Sequence, residues 1–553
     1  MIEIKYELYD VTAKSDCTPE ATDKQLFVDL NQINEEGMSV EKYATLERNR
    51  FVLDGSFEFF PEEPENTDMG FWSKAMSDDN GDFETPINLT LQFANNHSSM
   101  GLTFIFDKKT AEHCKSMSIS WYDSGDNLLL TKSYNPDRAE YFCDGQVEDY
   151  RKVVITFDGT NYPHRFLRLT EIKYGALKVF GEDDIISANM LEEIDATSNE
   201  LSINTLEFSV YSHDFALLDP TGLYSMLQQQ QEISVSSDGT LMGTYYLDEP
   251  ESDSEDVVLL KCVDMVGIME GSIFLGGIYA DKSVAALIGD IMSACDATYE
   301  IDPSITGTVS GWLPICTCRD ALQQVAFAVG AIVDCSRSTK IKILPCPTSS
   351  SGTVSHENKV EGHKVKQKPL VTGVEVTAHN YVADTATTAA TVYQDTLAVG
   401  THTITFTEPY HSLAISGGTL LSSSSNYAVI SVSTAGTVII TGKAYTDNTS
   451  IVGKYAENMP ANAKANILQV TEATLVTLAN GEAVAARIYD YNQRRYENEG
   501  EIELGAEMVG TMWDLQSMNG RNIRGIVEML DIDLITGLAK IKIAGEAVDR
   551  IVD

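Results

Sequence analysis

Asp531 and Asp533 are two carboxylates two positions apart, the kind of pair that glycoside hydrolysis needs when one acid gives a proton and the other acts as base or nucleophile. They sit in an alternating run, DIDL, so a strand would place both on its solvent face. Cys316 and Cys318 have the soft ligand atoms of a zinc site, but no second pair follows at matching spacing. His97 stands beside Ser98 and Ser99, the residue types of a base and a nucleophile. No acid is identifiable to orient the ring, and a turn histidine between two strands is the plainer reading. No HExxH, phosphate-binding loop, G-x-S-x-G or dinucleotide fingerprint occurs. The expectation is no enzyme, no cofactor and no metal. Binding chemistry has better raw material. Sugars are gripped by exposed rings beside polar groups, and Trp72, Trp121 and Tyr122 are the candidates. Trp121 ends the strand-like run SISW and reads as core; Trp72, after Met69-Gly70 in a loop, is the better ligand residue.

The elements that must position these residues come from a long and very acidic chain. At 553 residues and 43% hydrophobic content it can bury several cores. It carries 82 acidic against 39 basic residues, a net charge of -43. Affinity for nucleic acid rests on neutralising phosphates with Lys and Arg, so nucleic-acid binding is not expected. The charge serves solubility, or it lines a channel through which a polyanion passes without sticking; both readings stay open. No apolar stretch reaches the roughly 20 residues of a membrane span. The start, MIEIKYELYD, lacks the basic and apolar regions of a secretion signal, and nine scattered cysteines suit reduced thiols in a cytosolic product.

Along the chain the texture is mainly β. Residues 48–180 hold runs such as INLTLQFANN, GLTFIFD, SMSISWYDS and KVVITFDG at short intervals, the pattern of a sandwich or jelly roll. Residues 1–47 are too few to fold alone and pair with 181–280 as a first small barrel. There Leu206, Phe208 and Val210 alternate onto one face, and Asp219, Pro220 and Gly222 make a tight turn. Residues 281–346 form a small α/β element, with Asp281 or Ser283 capping its first helix and a second helix ending near Gly330. A second barrel is expected from 347–382 plus 456–553, with a helix over 481–499 and then strands in which Ile526, Met529, Leu530, Ile532 and Leu534 alternate around a register shift. Residues 383–455 interrupt it as an inserted β-domain of immunoglobulin-like texture.

From Glu193 to Val210 the chain reads E-I-D-x-x-S-x-E-L-x-x-N-x-L-x-F-x-V. Arg319, Ala321, Leu322 and Ala326 form an R-x-A-L-x-x-x-A run, and a Y-D-Y-x-x-R-R helix precedes the closing hairpin IDLITGLAKIKI. With these runs the chain resembles tail-hub proteins of phages and phage-like particles of Gram-positive bacteria, infectious phages and bacteriocins alike. Its first sandwich resembles the galactose-binding-type jelly roll inserted near the start of many of them. The resemblance implies a homotrimeric structural protein of a virion tail or baseplate, assembled in the host cytoplasm. Its implied partners are the tail-tube or distal-tail ring, tip, spike or fibre proteins and the tape-measure protein. Assembly contacts would then fall on the barrel strands, at Leu206, Phe208, Val210, Ile526 and Ile532. The competing reading is a tail-tip adhesin that holds host cell-wall glycan on the sandwich, through Trp72, Trp121 and Tyr122.

Overall fold

The structure is a computed structural model. It describes residues 2–35, 45, 47, 70–107, 110–211, 231–254, 257–360, 364–385, 388–459, 462–516 and 521–549. The expected turn at Asp219, Pro220 and Gly222 lies outside the described residues, as do residues 48–69 of the expected sandwich. The chain divides into two compact units, residues 5–180 with 213–232, and residues 1–4 with 181–212 and 233–553. Among the described residues no helix is long and apolar enough to cross a membrane.

In the first unit a sheet runs in the order Phe71–Met76, Phe166–Lys173, Asp82–Phe106, Glu140–Gly159, Met117–Tyr122, Leu128–Tyr134. The two longest strands pair antiparallel from Asp82↔Gly159 to Ile105↔Glu140, with four register shifts between. Each shift bends the ribbon. Leu89, Leu91, Phe93, Leu102, Phe104, Ile155 and Phe157 share one apolar core, in which Phe71 stacks on Phe157 at 6.1 Å. The boundary expected at residue 48 moves forward to residue 5. Strand Cys17–Ala21 pairs with the long strand, Pro19 opposite Leu91, and Phe27, Val28, Leu30 and Ile33 fill the sandwich core. A short segment with a proline suits a sheet edge, where a missing N–H costs little.

The second unit is built around strand Ile185–Glu193. One edge pairs with Thr205–Tyr211, setting Met190 opposite Leu206; the other pairs with Arg521–Asp533, setting Met190 opposite Ile532. The sheet extends one way through Val257–Val263, Thr240–Ser254 and Glu232–Ser237, and the other way through Leu538–Asp549, Tyr496–Glu503 and Lys364–Gln367. The strands assigned to two separate barrels are thus two halves of one hydrogen-bonded sheet. A buried row crosses it: Ala539, Ile532, Met190, Leu206, Cys262, Leu247. The expected register shift falls between Val527 and Met529, and it turns half-buried Met529 off the face that Leu530 and Ile532 share.

The α/β element has helices Val284–Ala294 and Cys318–Val329 over the strands Ala331–Asp334 and Ile341–Pro345. Ser283 is the first cap position but makes no side-chain cap bond, and Asp281 lies within the preceding strand. Gly330 ends the second helix at φ +77, where a Cβ would also strike Arg487.

Two boundaries of the second barrel are corrected. Strand Gly373–Ala378, expected to open it, instead makes a three-stranded sheet with Ser450–Tyr455 and Ile467–Val470. Its Val374 and Val376 pack on Val484, Ala485 and Ile488 of helix Gly481–Gln493. That helix stops at Gln493, short of 499, because Tyr496–Glu503 is drawn into the sheet beside Leu538–Asp549. The inserted β-domain keeps its own core of Ile404, Phe406, Ile430, Val432, Val438 and Ile440, but Ser450–Tyr455 leaves it for the sheet under the helix.

Phe208 is fully buried beside this row, between Ala188 and Leu260. Phe208→Asp empties a large core site and adds a charge, so a loss of about 3 to 5 kcal/mol or more is expected. Thermal unfolding of the purified chain reads it out as a lowered midpoint or an insoluble product.

Candidate functional site

The five residues expected to form assembly contacts are all interior. Leu206, Phe208, Val210, Ile526 and Ile532 have no solvent exposure, so they build the sheet and cannot themselves touch another protein. Alternation turns Glu207 and Tyr211 to solvent on one of these strands and leaves Asp531 and Asp533 half-exposed on the other. Asp531 faces Lys540 Nζ at 3.4 Å, an exposed pair.

The spacing between Glu193 and Asn204 has a mechanical meaning. Asp195 Oδ1 accepts from Thr197 N at 2.8 Å and Thr197 Oγ1 at 2.7 Å, and its Oδ2 from Glu200 N at 3.2 Å, which forms a tight turn. Ser198, at φ +54, donates to Ala331 O at 2.6 Å. Asn204 Oδ1 accepts from Glu193 N at 2.8 Å, and Asn204 N donates to buried Asp264 Oδ2 at 3.1 Å. From the facing helix, Arg319 Nε donates to Leu201 O at 3.1 Å and Gln323 Nε2 to Ser198 O at 2.7 Å. The two runs quoted from the sequence therefore interlock: one is the turn, and the other supplies the helix that grips it.

Beneath that turn lie charges sealed from water. Glu192, with no exposure, is held bidentately by Arg337 at 3.1 and 3.2 Å. Asp334 bonds Ser336 N at 2.9 Å and has Lys342 Nζ at 3.6 Å. Burial pushes the Glu192 carboxyl up despite Arg337, and pushes Asp264 up to about 7 despite backbone bonds from Gly267 and Asn204. Carboxyls this deep have no path to a substrate, so they stiffen the junction. Among the described residues no three His, Cys, Asp or Glu side chains gather as around a metal ion.

In the sandwich, Trp72 is corrected from loop to strand and from surface to core. It is 1% exposed, with Phe27 edge-on at 5.6 Å and the Arg168 guanidinium 4.1 Å over its ring. Arg168 is held by Glu47 and by Glu112 at 3.2 Å. Trp121 is also fully buried, and Tyr122 is half-buried under Lys152 Nζ at 4.6 Å. Neither tryptophan offers a face to a sugar. His97 is likewise corrected: it lies within a strand and has the acids the sequence did not reveal. Its Nδ1 faces Asp10 Oδ2 and its Nε2 faces Asp16 Oδ1, both at 2.9 Å. A carboxylate can only accept, so the two bonds require the doubly protonated ring or a proton on one acid. The clamp ties helix Val11–Asp16 to the long strand; no serine is its partner. Asp10 and His97 are 87 residues apart, beyond the reach of any local pattern.

The second unit also has an open cleft of about 400 Å³ between helix Cys318–Val329 and the end of strand Ile467–Val470. Gln323 and Gln324 form one wall, Gln469, Thr471 and Glu472 the other, and Phe327 part of the floor. No spacing in the sequence announced it, because its walls lie about 150 residues apart and meet only through the fold.

No protein-family model matches the sequence, and no curated protein resembles it in sequence. Among solved structures, a tail protein from Neisseria meningitidis is similar at 8% identity and TM-score 0.40, over 66% of this chain and 93% of that one. A prophage tail protein from Listeria monocytogenes is similar at 10% identity and TM-score 0.41, over 67% and 91%. A family 32 carbohydrate-binding module from C. perfringens, solved with galactose, is similar at 10% identity and TM-score 0.21, over 32% of this chain and 99% of the module.

Two outcomes follow from the buried charges. Arg337→Met leaves Glu192 uncompensated, at an expected cost of about 3 to 5 kcal/mol. A carboxyl with a raised folded pKa favours the folded state most below its unfolded value near 4.5, and loses that contribution as pH rises. The variant's deficit in urea unfolding should therefore be larger at pH 8 than at pH 5. Asp10 has the opposite sign. Burial works against its charged form, but hydrogen bonds from Thr12, His97 and Ala13 outweigh it and hold the carboxyl below its ordinary 3.8. Its contribution is present above that value and lost as pH falls through the lower folded one. Asp10→Asn should cost about 1 to 3 kcal/mol at pH 7, with the gap to the native chain closing below pH 3.8.

Proposed function

We propose that this chain is a structural protein of a phage-like tail, a homotrimeric hub at the baseplate or tail tip. The observation that carries the reading is the shared strand Ile185–Glu193, which makes one chain carry two sheet halves in a fixed mutual register. A tail tube is built of six-fold rings. Three copies with two halves each supply six surfaces, so such a chain adapts six-fold to three-fold symmetry. The interlock at Asp195, Ser198, Asn204 and Arg319, formed by the residues that carry the sequence resemblance, supports it. The partners are the tube or distal-tail ring above, a tip, spike or fibre below, and the tape-measure protein. A net charge of -43 suits a wall along which DNA passes without binding.

The contacts belong to outward residues of the barrel strands, such as Glu207 and Tyr211, in place of the buried set. The adhesin reading loses its two tryptophans to the sandwich core, and only Tyr122 of the three aromatics retains partial exposure. Cryo-electron microscopy of assembled particles decides between them. The hub reading expects three copies in a ring below the last tube ring; a single copy, six copies, or particles with normal tails when the gene is deleted would refute it. Tails that assemble without the gene but fail to bind cell walls would favour the adhesin.

A further inference from the structure

Strand Ile467–Val470 is the edge of its three-stranded sheet. Gly373–Ala378 pairs with it in parallel register from Gly373↔Ile467 to Val376↔Val470, and no described strand pairs with its other side. On that side alternate N–H and C=O groups point away from the sheet, over about 13 Å of strand at the usual rise. The cleft of about 400 Å³ opens at the end of this edge, and its far wall is the amide-bearing face of helix Cys318–Val329. We propose that the cleft takes a short extended peptide segment of a partner protein, neutral or basic in charge, which adds a strand beside Ile467–Val470.

Three features select this occupant. The lining is rich in primary amides, Asn199, Gln323, Gln324 and Gln469; Gln323 Nε2 is committed to Ser198 O and Asn199 O and Gln469 Nε2 to Glu375 Oε2, so Asn199, Gln324 and the amide oxygens of the other two are the groups that match the alternating polarity of a peptide main chain. Gln324 lies in the lining, and its Oε1 is buried and accepts no hydrogen bond, so a peptide N–H that reached it would satisfy a group the chain leaves unpaired. Charge sets the sign of the partner. Glu472 is exposed at the rim of a chain with net charge -43, so an acidic segment is repelled and a lysine or arginine finds a counter-ion. A sugar fits less well. The aromatic residue in the lining, Phe327, is 2% exposed and lies 5.4 Å from the Arg487 guanidinium, so it presents no free ring for stacking. Strand addition fits, with main-chain bonds giving affinity and side-chain pockets giving choice.

The test pans a displayed library of random hexapeptides against the full chain, and then measures one enriched peptide, synthesised and labelled, by fluorescence polarisation. The expected sequences are rich in β-branched residues and Lys or Arg and poor in Asp and Glu. Binding should saturate, weaken about tenfold or more with Glu472→Lys, and vanish when alternate peptide amides are N-methylated. Hydrogen exchange should slow at residues 467–471. Glu472 is exposed, so its variant retains the fold; N-methylation leaves the protein untouched. An unenriched library overturns the proposal, as does binding indifferent to both changes. Self-association that Glu472→Lys abolishes would give the cleft to a second copy, and saturable binding of neutral oligosaccharides would give it to a glycan.

Discussion

Hydrogen bonding along both edges of strand Ile185–Glu193 is the constraint from which the larger unit is built. Met190 lies between Leu206 and Ile532, and all three are fully buried. A slip of one residue in either register would turn Met190 outward and bring a neighbour of the opposite face into the core. Each of these side chains contributes roughly 1.5 to 3 kcal/mol by leaving water, so both registers are strongly specified. The halves on either side cannot shift independently.

Rigidity of this kind has to be protected where the sheet gives way to irregular chain. The turn after Glu193 carries main-chain groups that no ladder satisfies, and Asp195, Asn204, Arg319 and Gln323 satisfy them with side chains. The same junction buries Glu192, Asp264 and Asp334. An ion pair such as Glu192 with Arg337 adds little net stability over apolar packing, because desolvation offsets most of its attraction, yet it strongly penalises any arrangement that separates the partners. The junction therefore favours one geometry more than it adds to overall stability.

The sandwich solves its own problem separately. Its long ribbon bends at each register shift and folds its apolar face onto itself, and the rings that could have met a ligand, Trp72 and Trp121, are the bulk that fills the gap. Arg168 lies against Trp72 with its charge answered by Glu47 and Glu112, so the charge is buried without being left alone.

Most of the strands, the presence of the three long helices, the C-terminal stop at Gly330 and the register shift near Met529 were legible because each is written in local alternation, helical periodicity or a turn residue, whereas strand Phe71–Met76 and the run of strand through His97 were not. The acidic charge and the apolar faces at Leu206, Phe208 and Val210 were equally plain. Sequence periodicity shows which side chains share a face, but it does not show what covers that face, so residues expected at an interface proved to be core. Nor could it place Ser450–Tyr455 under the helix, draw Tyr496–Glu503 out of the helix's end, bring Asp10 and Asp16 to His97, or set a glutamine helix across from an unpaired strand edge. Those depend on pairings between distant segments, whose free energy arises only when backbone groups far apart in the chain exchange water for each other. Local pattern determined the elements, and long-range hydrogen bonding and burial decided which of their faces remain open to a partner.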